Sequence, residues 1–192
     1  MIDLPAPDRT GSVPLETVLA ARRSRREFAP GDVDLATLGQ VLWAAQGITG
    51  DDGRRAAPAA GNRGALETYA ATGRGLYRYD ARRHSLETVR EGDLRGDLAA
   101  ATGGQECVAT AQAVLVFGVV EERTRSKYGD RARRYVHFEA GHAVQNALLQ
   151  AEALGLHAVP VGAFDDDALA AICGMAEDER PLYMVPFGRP PA

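Results

Sequence analysis

A chain of 192 residues with 45% hydrophobic and 25% charged side chains can bury a sizeable core in one domain, residues 1–192, and is neither disordered, collagen-like nor a disulfide-stapled miniprotein. Its net charge of −4 offers no general attraction for nucleic acid or an anionic membrane, so any anion site has to be local. Cys107 and Cys173 form no CxxC pair and are expected as buried free thiols. The longest apolar run, AVLVFGVV at 113–120, falls far short of the roughly 20 residues of a membrane helix. SRREF at 24–28 matches a twin-arginine export core, but Asp32 and Asp34 stand where its apolar stretch would have to follow. A soluble, cytoplasmic chain is expected.

In chain order, PLETVLAARRSRREF places Leu15, Val18 and Leu19 at helical spacing behind the start signals Ser12 and Pro14, and reads as an amphipathic helix running into an arginine cluster. A second helix follows in DLATLGQVLWAAQG, with Asp34 as cap, Leu38, Val41 and Leu42 as its apolar stripe and Gly47 as terminator. Residues 48–64 have loop composition. ETYAATGRGLYRYD reads as a β-hairpin, HSLETVR as a third strand, GDLRGDLAAATGG as a short helix and 113–120 as a buried central strand.

The longest periodic segment is RARRYVHFEAGHAVQNALLQAEALG. Tyr135, Phe138, His142, Gln145, Leu149 and Glu152 share one side, and the nearly all-round apolar and small surface predicts a helix buried in the fold or in a dimer interface. The tail holds a loop, VPVGAF, a helix capped by the acidic run at 165–167, and a last strand, LYMVPFG. Together these elements predict an α+β fold.

Four arginines within five residues, Arg22, Arg23, Arg25 and Arg26 around Ser24, suit the negative end of a helix dipole. They equally suit a phosphate clamp, because guanidinium forks bind phosphate oxygens bidentately and a serine hydroxyl adds a donor. HFEAGH does not make a metal site: His137 and His142 are five residues apart, about 140° around a helix of 3.6 residues per turn. His142 is expected as a satisfied core histidine that Glu139, three residues back, can orient. The glycines in PVGAF and PFGRP allow close backbone approach to a ligand. Neither GxGxxG nor GxxxxGK[ST] occurs, and no Ser-His-Asp pattern is present.

RRSRREF, PAAGNRGALETY, GLYRYD, SKYGDRARRY, EAGHAVQNALLQAEALGL, VPVGAFDD and PLYMVPFGRP, in that order over residues 14–190, resemble the FMN-dependent nitroreductase-like flavoproteins, and among them the SagB-type branch with its azoline dehydrogenases. The resemblance implies a three-layer α+β fold with a mostly antiparallel central sheet flanked by helices. It also implies an intertwined homodimer with two FMN molecules at its interface. By the same resemblance Arg22, Arg23, Ser24 and Arg26 hold the FMN phosphate and ribityl chain, with Arg189 as a second cation. Pro58, Ala59 and Asn62 approach the flavin of the other subunit, and Val161, Gly162 and Ala163 pass near its ring. Ala59 stands where the family usually has serine, and Asn62 where the SagB-type branch tends to have alanine.

Of the 22 lysines and arginines only Lys127 is a lysine. Lys127 and Tyr128 match a Lys-Tyr pair associated with catalysis in the azoline-oxidising relatives. Lysine can act as a base once desolvation or nearby positive charge lowers its pKa, whereas arginine stays charged. A surface lysine in a strongly polar loop is the plainer alternative. Three activities stay open: dehydrogenation of a C–N- or C–S-adjacent bond in a small molecule or a peptide azoline, NAD(P)H-driven reduction of nitroaromatics or quinones, and flavin binding without turnover as a partner subunit.

Overall fold

A computed structural model describes residues 1–192. Strand β1 (Ile2–Asp3) lies on one sheet edge, and α1 (Leu15–Ala21) follows after Pro14. Helix α1 is shorter than its sequence suggests and stops before the arginines. The Arg22 amide still donates to the Val18 carbonyl at 2.9 Å, but at φ −56°, ψ 122° the chain has left the helix. Tertiary bonds take over the backbone there: Arg25 N–H donates to Ala158 O at 3.0 Å and Ala29 N–H to Arg189 O at 2.9 Å. The arginines therefore lie on an extended segment that crosses the far end of the sheet.

Helix α2 (Leu35–Gln46) is capped as expected, the Asp34 carboxylate accepting from Thr37 N–H at 2.7 Å. Gly47 ends it by close approach rather than by a left-handed turn: its φ is −63°, and a Cβ there would collide with Trp43. Strands β2 (Leu66–Thr72), β3 (Gly75–Asp80) and β4 (Ser85–Glu91) form the expected hairpin and its third strand. Helices α3 (Arg95–Ala101) and α4 (Glu106–Ala109) then lead to β5 (Ala113–Val120).

The segment around Lys127, which the plainer alternative made a polar loop, forms helix α5 (Glu122–Tyr128), with Thr124 buried beneath it. Beyond it come α6 (Ala132–Ala153), β6 (His157–Ala158), α7 (Asp166–Cys173) and β7 (Glu179–Gly188). Asp165 caps α7 by accepting from Ala168 N–H at 2.8 Å.

The seven strands form one antiparallel sheet in the order β1-β4-β3-β2-β5-β7-β6. Strand β5 is buried along its whole length because both faces of the sheet are covered. Side chains alternate across a strand, so Ala113, Leu115, Phe117 and Val119 join the core under α2 and α6, while Val114 and Val116 join the core that includes α3, α4 and α7. This is the three-layer α+β arrangement expected. Cys107 and Cys173 are buried free thiols in the second core.

Helix α6 buries a face other than its largest side chains indicate. Its core side is Val136, Glu139, Ala140, Ala143, Val144, Ala147, Leu148 and Ala151, whose short side chains let the helix lie close to the sheet and α2. The Tyr135–Phe138–His142–Gln145 stripe points away, with Phe138 54% exposed. Leu15 and Leu19 of α1 are likewise 59% and 53% exposed, so the chain presents apolar helix surface that it does not cover itself.

Candidate active site

The site residues expected from sequence gather into two groups. The first forms where the extended segment after α1 meets the end of the sheet. Arg25 N–H bonds Ala158 O, the His157 ring Nδ1 pairs with Glu27 O at 2.8 Å, and Ala29 bonds Arg189, so residues 22–29, the 157–163 stretch and Arg189 become neighbours. Val161 is anchored by paired bonds with Met184, each 2.9 Å, leaving Gly162 and Ala163 exposed just beyond. Gly162 is not demanded by the chain's own packing, since a Cβ there would meet only the Tyr183 ring at 3.6 Å.

The cations of this group differ in what they already bind. Arg25 is spent on Glu152 of α6 at 2.8 Å, and Arg23 curls back onto the carbonyls of Ala20 and Arg22 at 3.1 and 2.8 Å. Arg22, Arg26 and Arg189 are in no ion pair; the Arg189 guanidinium makes one long bond, 3.4 Å, to Asp32 O. Guanidiniums that are in no ion pair are the ones left to meet a phosphate.

The second group surrounds a turn at Ala60–Asn62. Gly61 and Asn62 both have left-handed backbone, φ 62° and 50°, which glycine and asparagine tolerate better than other residues. A Cβ on Gly61 would lie 2.9 Å from Tyr128 Oη and 3.3 Å from Lys127 Nζ, so the end of α5 packs directly on this turn. Lys127 Nζ stands 5.3 Å from the Tyr128 ring centroid, and the ring meets Tyr135 of α6 edge-on at 5.1 Å. Arg63 ties the two segments together through Arg123 O at 3.0 Å and Ser126 Oγ at 3.1 Å. Lys127 is exposed in the single chain.

His142 is exposed rather than in the core, and it too reaches this turn: its Nδ1 lies 2.9 Å from Pro58 O. Glu139, one turn earlier, is 2% exposed, with one carboxylate oxygen unpartnered. Desolvation pushes its pKa up to about 7, against the opposing pull of Arg55, the Leu66 amide and His142. Sequence reasoning missed His142 as a neighbour of this turn and Gly61 as its closest point. The Gly-Asn pair, a left-handed turn signal, was the available clue to Gly61.

The two groups meet α6 at different points, one near its middle and one at its C-terminal end. His142 joins the second and Glu152, through Arg25, the first; ten residues of helix rise put about 15 Å between them. One chain thus does not bring Pro58–Asn62 and Lys127 onto the arginine group.

Comparison with known proteins agrees with this architecture. The model of the Nitroreductase family matches residues 19–189. A protein of Methanocaldococcus jannaschii, named for the nitroreductases, is 39% identical over 183 residues, covering 92% of this chain and 91% of its own. The crystal structure of a similarly named protein from Ralstonia eutropha JMP134 superposes with a TM-score of 0.91 at 35% identity, over 100% of this chain and 90% of that one. The E. coli microcin synthetase McbBCD complex with truncated pro-MccB17 bound contains a chain of the same fold, TM-score 0.77 at 22% identity, over 98% of this chain and 78% of that one. With its sheet order, its paired cores and a family match over nearly its whole length, the chain belongs to the Nitroreductase family.

Proposed function

We propose that the protein is an FMN-dependent dehydrogenase of the SagB type, acting on a C–N- or C–S-adjacent bond such as that of a thiazoline or oxazoline. The observation that carries this reading is the packing of Lys127, the only lysine of the chain, and Tyr128 onto the Gly61 turn, within the stretch proposed to border the flavin. Arg22, Arg26 and Arg189, which are in no ion pair, would hold the FMN phosphate, with Arg23 and Ser24 beside them. Pro58, Ala59 and Asn62 on one side and Val161, Gly162 and Ala163 on the other would border the ring. When bound, FMN accepts a hydride and with it two electrons. Lys127 takes the proton that the substrate loses as the new double bond forms, and Tyr128 donates a hydrogen bond.

The 15 Å separation of the two groups along α6 supports a homodimer. Two copies with antiparallel α6 helices would bring the Gly61 turn of one to the arginine group of the other. They would also cover Phe138, Leu15 and Leu19.

A reductase driven by NAD(P)H is the second reading, favoured by the nitroreductase names of relatives at 39% and 35% identity. Anaerobic bleaching of the bound flavin distinguishes the two. The dehydrogenase is bleached by an azoline peptide, and Lys127→Ala slows that step by about 10²–10⁴-fold with the flavin spectrum unchanged. Bleaching by NAD(P)H alone, at a rate indifferent to Lys127→Ala, assigns the reductase and overturns the first reading.

A further inference from the structure

Two of the seven buried side-chain atoms that lack a hydrogen-bond partner belong to residues of one cavity. Gln46 at the end of α2 and Thr68 of β2 are 2% and 3% exposed, and Gln46 Nε2 and Thr68 Oγ1 bond nothing. Both residues line a cavity of about 290 Å³. Thr68 reaches it because side chains alternate along β2: Leu66, Thr68 and Ala70 share the face under α2 and α6, and Leu66 lines the cavity too. Native interiors leave few polar groups unsatisfied, so two at one cavity call for an occupant that meets them. A space of this size holds several waters at about 30 Å³ each, and so the body of a small organic acid.

Charge decides what kind of group fits. Four arginines and three acids line the cavity, one positive charge in excess. Glu67 is taken up at both oxygens, Oε2 by Arg78 at 2.8 Å and Oε1 by Arg123 at 2.7 Å. Asp80 Oδ1 accepts from the amides of Arg82 and Arg83 at 2.8 and 3.2 Å. Arg55 and Arg82, by contrast, are in no ion pair. Arg55 donates from Nη1 to Gln46 O, which leaves Nε and Nη2, the side-on edge of its fork, without a partner in the chain. Glu139 and Glu67 attract it without pairing with it. A carboxylate is the planar anion that such an edge binds bidentately. A half-turn of the Gln46 amide, or a rotation about the Thr68 Cα–Cβ bond, turns a further donor towards the same anion. The single excess charge, with Glu87 unpaired on the wall, favours a monoanion over a phosphate dianion.

We propose that this cavity binds a small organic monocarboxylate, its carboxylate on Nε and Nη2 of Arg55 with Gln46 and Thr68 as further donors, and its body against Leu66, Tyr79 and Ala81. Gln46 and Arg55 on one side and Gly64 and Leu66 on the other flank the segment that carries the Gly61 turn, so a bound carboxylate braces that turn. The site serves a dehydrogenase or a reductase alike.

The test uses full-length, FMN-saturated protein, with sodium acetate as the ligand and sodium chloride at equal ionic strength as the control. Acetate should raise Tm saturably and give a saturation-transfer NMR signal, and chloride should not raise Tm in this way. Arg55→Met should raise the acetate dissociation constant by about tenfold or more. Thr68→Val keeps the shape of the side chain and removes the unpartnered hydroxyl. Its Tm without acetate should therefore hold or rise while its acetate dissociation constant increases by about threefold or more, which separates binding from folding even if Arg55→Met does not fold. Arg189→Ala at saturating FMN should bind acetate as the wild type does. An acetate response no larger than that of chloride means that water alone fills the cavity and overturns the proposal. Acetate binding that survives both Arg55→Met and Thr68→Val, or that is lost in Arg189→Ala, overturns it as well. Sulfate bound more tightly than acetate, and lost in Arg55→Met, overturns the monocarboxylate as the ligand.

Discussion

Glu139→Gln tests the burial argument through stability alone. The carboxyl of Glu139 is 2% exposed and its pKa is pushed from 4.5 to about 7. At about 1.36 kcal/mol per pKa unit, that difference corresponds to about 3 kcal/mol between protonated and ionised forms. The sign follows from proton counting. Between the unfolded and folded pKa values the folded state binds more protons, so Glu139 costs stability as pH rises through about 4.5 to 7, and the full cost is present above that window. Glutamine does not titrate. Its stability relative to wild type should therefore improve by about 3 kcal/mol from the acid side of the window to the alkaline side, or about 6–12 °C in Tm for a chain of this size. Thermal unfolding at one protein and one FMN concentration gives the comparison, because cofactor and partner binding both move Tm. Other titrating groups, Glu179 among them, cancel in the difference. Wild-type and variant curves that stay parallel across the window would refute the reasoning.

Three further outcomes follow from the geometry. Gly61→Ala should cost about 1–2 kcal/mol for its left-handed backbone, and its methyl should displace Tyr128 and Lys127; retention of FMN with loss of dehydrogenation is expected, and a wild-type rate counts against the packing. Gly118→Ala places a methyl against Glu179 Oε1 and should break the buried 3.0 Å Tyr69–Glu179 hydrogen bond, lowering stability in urea by about 1–3 kcal/mol. An unchanged urea midpoint would mean that Glu179 can move without loss. Arg189→Ala should weaken FMN binding about ten- to a hundredfold in a flavin fluorescence titration, the loss of one charge-assisted contact to phosphate, and equal affinity would remove Arg189 from the cofactor site.

Local chemistry made much of this protein readable from its sequence. The uncharged run at 113–120 could only be a strand covered on both faces, Asp34 and Asp165 announced their helices by capping, and the spacing of Leu38, Val41 and Leu42 marked the buried side of α2. The family resemblance named both groups of candidate residues, because arginine for an anion and lysine for an exchangeable proton are choices of residue type. Large apolar residues misled the reading of α6, where the core takes alanines because the helix lies close to the sheet and leaves Phe138 to the outside. The end of α1 was likewise out of reach. Arg22 to Arg26 leave the helix because the carbonyl of Ala158 and the backbone of Arg189, more than 130 residues away, take their segment into the edge of the sheet. Only the folded chain shows that Lys127, Tyr128 and His142 share one turn and that the arginine group lies farther along α6, at Glu152. Both are long-range distances, set by how helices pack on a sheet rather than by any neighbouring residue.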